Sequence, residues 1–139
     1  MARYGLAYLA TALVFLCLDA VWLSQMQGLL YRPALAPLLA AAPRLGPAVL
    51  FYLIYLVGVV VFCVAPALRS GAWRTALGRG LLFGLCAYAT YDLTNQATLR
   101  IWPVRVTVID LAWGAVATGV AATAGFLITR RLVKARTKA

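Results

Sequence analysis

The chain has 139 residues, 65% of them hydrophobic and 12% charged, with a net charge of +10. An apolar excess gathered in runs of about 20 residues excludes an ordinary soluble domain and reads as an integral membrane protein. The bases fall in loops and tails, as the positive-inside rule expects, so the charge argues for membrane orientation and against nucleic acid as a partner.

The hydropathy pattern predicts one all-α transmembrane domain, a four-helix bundle, with spans over about 4–26, 47–68, 75–99 and 104–129. The first span opens like a signal peptide, with Arg3 before an apolar run. The run is too long for one, carries Asp19, and meets no Ala-x-Ala site afterwards. Phe15, Asp19, Trp22 and Met26 share one helix face.

Residues 27–46 form a long connection punctuated by Pro33, Pro37 and Pro43. Pro33 suits a first helical turn, and 34–42 is mostly apolar, which predicts a short interfacial or re-entrant helix anchored by Tyr31 and Arg32. The segment acts either as a lid or as a plain covering loop. The second span carries no charge, and its Phe51, Tyr52 and Tyr55 fit an interfacial aromatic belt. Trp73 and Trp102, at span ends, fit the same belt.

The third span contains Gly80 and Gly84, spaced to let another helix approach closely. It ends in a polar stretch in which Tyr88, Asp92, Asn95 and Leu99 share a face, with Gln96 on its border. In the fourth span Thr107, Asp110, Trp113, Gly114 and Ala117 share a face, and Ala115 with Gly119, and Ala121 with Gly125, offer small-residue grooves. The tail over 130–139 is basic.

Counting bases sets the orientation. Arg3, Arg69, Arg74, Arg79, Arg130, Arg131, Lys134, Arg136 and Lys138 fall on one side, and Arg32, Arg44, Arg100 and Arg105 on the other. The bias places both termini in the cytoplasm of a bacterial inner membrane protein.

Asp19, Asp92 and Asp110 are the only acidic residues, and all three lie inside apolar runs. Each falls six or seven residues from the outer end of its predicted span, roughly 10 Å below the surface at 1.5 Å per residue. Three helices therefore place their acids in one layer, and an intramembrane acid is a functional-site hypothesis by default. The chain has no histidine and no glutamate, which removes the commonest general base and transition-metal ligand. Cys17, Cys63 and Cys86 sit in apolar spans with no metal-like spacing.

A local echo accompanies the layer: Asp19 precedes Trp22, and Asp110 precedes Trp113, by the same three positions, and Asp92 precedes Asn95 likewise. These motifs, with Leu30-Tyr31-Arg32-Pro33, Tyr91-Asp92-Leu93-Thr94-Asn95, Ala97-Thr98-Leu99 and Trp102-Pro103, resemble a bacterial family of small four-helix inner-membrane proteins of unknown function. The resemblance covers nearly the whole chain and implies the architecture, but it carries no activity.

The candidate ligand-binding residues are Asp19, Trp22, Arg32, Tyr88, Asp92, Asn95, Gln96, Arg100, Arg105, Asp110 and Trp113, with Thr107 beside them. No catalytic residue, cofactor or resident metal is assigned. Three readings fit the layer. It forms a pocket for a lipid-like or amphiphilic ligand, with the three outer arginines as counter-charges. It fixes helix packing in a subunit of a homo-oligomer or larger membrane complex, among membrane lipids. Or it serves an acid- or metal-dependent lipid-modifying enzyme, with oxygen ligands suited to Mg²⁺ or Ca²⁺.

Overall fold

The structure, a computed structural model, describes residues 2–136, so the last three residues of the basic tail lie outside it. All regular structure among these residues is helical: α1 (Ala2–Met26), α2 (Arg32–Leu35), α3 (Leu45–Val59), α4 (Ala65–Ser70), α5 (Trp73–Thr98) and α6 (Val104–Arg136). Short non-α turns join several of these into longer rods. Among the described residues, three helical runs are long and apolar enough to cross a membrane: Ala2–Leu38, Leu45–Ser70 and Val104–Ala135.

Helix α5 spans 26 residues, about 39 Å at 1.5 Å per residue and ample for a bilayer. It falls short of the other three in apolarity because it carries Arg74, Arg79, Asp92, Asn95 and Gln96. Its packing compensates, since α5 lies tightly along α6. A Cβ added at Gly80 would stand 2.8 Å from Gly119 Cα, and one at Gly84 would collide with the Gly114 carbonyl. Gly114 in turn accommodates the Tyr88 ring. Further along α6, Gly125 admits Thr11 of α1. Bare backbone at these crossings is what lets polar-bearing helices approach without a gap.

Two rods widen into π turns, Gln27–Tyr31 and Val60–Val64. Each is followed two residues later by a proline, Pro33 or Pro66, which has no N–H to give the preceding turn. At the second site Arg79 of α5 donates to the Phe62 carbonyl at 3.3 Å, so a loosened backbone acceptor is met from a neighbouring helix. Gly71, at φ +73°, ends α4 in the left-handed conformation that glycine adopts most cheaply. The Gly71 carbonyl accepts from Arg130 at 3.0 Å.

The interior joins Phe15 of α1, Tyr55, Val59, Cys63 and Val64 of the second rod, and Ala117, Ala121 and Phe126 of α6. The Phe15 ring packs 5.3 Å from Tyr55 and 6.3 Å from Tyr52. Around this core the large side chains turn outward. Leu9, Leu13, Val21, Ile54, Phe62, Leu82, Val108 and Val116 are exposed on several helices, the inverted pattern of a surface meant for hydrocarbon rather than water.

The connection differs from a helix over 34–42. Helix begins at Arg32, ends at Leu35, gives one tight turn over Ala36–Leu38, and residues 39–44 are not helical. Pro37 and Pro43 interrupt the run, and alanines over 40–42 bury nothing that would hold it. Leu30 and Leu35 pack instead against Val106 at the start of α6, with Tyr31 and Trp102 alongside. The segment is thus folded onto the end of the helix bundle. At the other end of the chain, α6 continues beyond the expected end at 129. Arg130, Arg131 and Lys134 are good helix formers and need not stop at a membrane surface.

Candidate functional site

A cavity of about 310 Å³ opens at the end of the bundle beneath the folded connection. Asp19, Trp22 and Leu23 of α1 form one wall, and Asp110 and Trp113 of α6 another. Gln27, Tyr31, Leu35 and Leu39 come from the connection, Tyr52 from α3, Tyr88 and Tyr91 from α5, and Trp102 from the last turn before α6. The lining therefore holds two carboxylates, four phenols and three indoles, and no arginine or lysine.

The Asp-x-x-Trp spacing explains part of this arrangement. One helical turn separates each acid from its tryptophan, so both point to the same side of their helix. The antiparallel helices bring Trp22 and Trp113 together, with rings 4.2 Å apart and 5° from parallel. The acids are then served crosswise. Trp113 Nε1 donates to Asp19 Oδ1 at 3.4 Å, and Tyr52 donates a short hydrogen bond to Asp19 Oδ2. Trp22 Nε1 donates to the Tyr31 hydroxyl at 2.9 Å, and that hydroxyl donates to Asp110 Oδ1 at 2.7 Å. Both carboxylates are 6% exposed, so these donors offset much of the cost of removing them from water.

Asp110 Oδ2 and the Tyr88 hydroxyl make no hydrogen bond to another described residue, yet neither is sealed by packing. Both therefore have hydrogen-bonding capacity to spare, as does the Gln27 amide in the same lining.

Asp92 stands apart from this arrangement. It is fully buried, does not line the cavity, and neither of its oxygens has a hydrogen-bond partner. Asn95 lies against the Tyr91 hydroxyl one turn back. Gln96 Oε1 accepts from Thr107 at 2.7 Å, and Thr107 accepts from Trp102 Nε1 at 3.1 Å, a chain that ties the end of α5 to the start of α6. Arg32, Arg100 and Arg105 are exposed and give no hydrogen bond to any of the three acids. Of the candidate residues, the cavity unites Asp19, Trp22, Tyr88, Asp110 and Trp113. Tyr31, Tyr52 and Trp102 join them although their positions at span ends fit anchors and belt residues equally well.

A second cavity, about 380 Å³ and almost wholly apolar, also borders Tyr88 and Tyr91 and is bounded by Phe51, Tyr55 and Ala87. The two spaces share those two tyrosines as a wall.

Long apolar helices with outward-turned aliphatic side chains and a polar centre buried among them define a helical membrane protein. Residues 4–127 match the family described as a predicted membrane protein, DUF2177, and the chain belongs to that family. No curated protein matches the chain, and no solved structure does.

Proposed function

We propose that this protein binds a lipid-like amphiphile, with the headgroup in the Asp19–Asp110 cavity and the chain in the apolar cavity beyond Tyr88 and Tyr91. The observation that carries this reading is the shared wall: a polar, aromatic space of about 310 Å³ adjoins an apolar one of about 380 Å³. A ligand with one polar end and one apolar end matches that pairing, and ligand sites are characteristically apolar spaces with a few placed polar groups.

In this reading the protein is a multi-pass protein of the inner membrane with both termini in the cytoplasm, as the distribution of bases supports. Helix α5 is also a span, the third in chain order; its polar residues are accommodated by close packing on α6. The cavity then lies near the outer leaflet, and the segment over 27–38 covers it as a lid. Membrane lipids are the immediate source of ligand. The Trp102–Thr107–Gln96 chain supports a parallel structural role for part of the layer, since it joins two helix ends without touching the cavity's carboxylates.

A diazirine-bearing lipid, photolysed in membranes containing the protein and mapped by peptide sequencing, tests the reading. Label is expected on α5 around Tyr88 and Tyr91 and on α3 around Phe51, and Ala87→Trp, which fills the apolar cavity, removes it. Label spread evenly over lipid-facing Leu13, Val57 and Val116, and indifferent to Ala87→Trp, contradicts it.

A further inference from the structure

We propose that the headgroup this cavity selects is an organic ammonium cation; the inference rests on the amphiphile reading above and names its substrate class. Two carboxylates, each nine-tenths buried, stand in one cavity whose lining includes no base. Buried acids are normally paired with a cation, and the four arginines at this end of the bundle, Arg32, Arg44, Arg100 and Arg105, are exposed and give the acids nothing. Phenols and indoles supply some hydrogen bonds but no positive charge. The missing charge is what a ligand brings.

The walls say which kind of cation. An inorganic divalent ion asks for six or more oxygens at close range, whereas much of this cavity is aromatic surface, including Trp22, Trp102, Trp113 and Tyr88. Aromatic faces attract alkylated ammonium groups through the ring quadrupole. Asp110 Oδ2 and the Tyr88 hydroxyl are both unengaged; the carboxylate oxygen accepts a charged N–H, and the phenol has a lone pair that can accept one as well. Tyr88 also bounds the apolar cavity, so a hydrocarbon chain attached to that nitrogen has an apolar space beside the headgroup in which to lie.

Three probes of equal chain length separate headgroup from tail: hexylammonium, hexan-1-ol and hexanoate, each titrated into the purified protein in dodecyl maltoside and followed by tryptophan fluorescence. Hexylammonium is expected to saturate with a Kd at least about tenfold below that of hexanol, the usual margin of a charge-assisted hydrogen bond. Hexanoate is expected to bind weakest. Asp110→Asn should bring hexylammonium up to the hexanol value. Asp19→Asn serves if that variant does not fold, and the series on the natural protein decides by itself if neither does. Equal saturable binding of hexylammonium and hexanol, or tighter binding of hexanoate, overturns the cation assignment and leaves the amphiphile reading standing. Saturation by none of the three overturns both.

Discussion

Tyr31 donates to Asp110 Oδ1 at 2.7 Å, a bond between residues 79 positions apart. It fastens the connection after α1 to the first turns of α6, and the same hydroxyl accepts from Trp22. One phenol thus closes the cavity's rim and satisfies a buried acid.

Tyr31→Phe keeps the ring and removes the bridge. A hydrogen bond to a charged group contributes about 1.5–3 kcal/mol, so the variant should melt on the order of 5 °C lower. Residues 39–44, which carry no helix, should also become more readily cleaved. Thermal melting with limited proteolysis in detergent measures both; unchanged values would show that the connection is held by Leu30 and Leu35 alone.

Gly84→Leu should be far more damaging than Gly78→Leu. A side chain at Gly84 meets the Gly114 carbonyl and, at 2.6 Å, Thr118 Oγ1, whereas nothing lies within 4 Å of Gly78. Backbone cannot yield as a flexible side chain can, so a loss of about 3 kcal/mol or more is expected at Gly84 and roughly 0.5 or less at Gly78. Equal melting temperatures would argue against the close α5–α6 crossing.

Asp92→Asn should leave the melting temperature unchanged or raise it. The carboxylate is buried with no donor to either oxygen, and a neutral amide of the same shape costs less to bury than an unpaired charge. Amphiphile binding should persist within about twofold, because Asp92 does not line the cavity. A fall of several degrees would mean that Asp92 has an interaction that the helices described do not supply.

Reporter fusions at Ala139 and beside Arg44 should report opposite sides of the membrane, with Ala139 cytoplasmic, as the nine-to-four distribution of bases requires. Finding both on one side would remove α5 as a span.

The approach of Asp19 to Asp110 was readable from the sequence and the rotation of Asp92 was not. Counting residues to the span ends places Asp19, Asp92 and Asp110 in one layer, and the Asp-x-x-Trp spacing puts Trp22 and Trp113 beside two of them. These helices are apolar nearly all round, so periodicity does not say which way an acid turns. Asp92 accordingly lies outside the cavity that the other two line. Tyr52 and Tyr31 were hidden for a related reason: an aromatic residue at a span end looks the same whether it faces headgroups or donates to a buried carboxylate. The glycines of α5 and α6 were the more legible feature, because only close backbone approach gives so many of them a use in one helix pair.

The proposed function requires that the Asp19–Asp110 cavity and its apolar neighbour hold one ligand between them. The most direct measurement is an experimental structure of the protein in a lipid bilayer. Continuous non-protein density is expected to begin beside Asp110 Oδ2, pass Tyr88, and end against Phe51 and Ala87. A cavity closed by its own side chains, or filled only by water while lipid density stays on the outer faces, would contradict it.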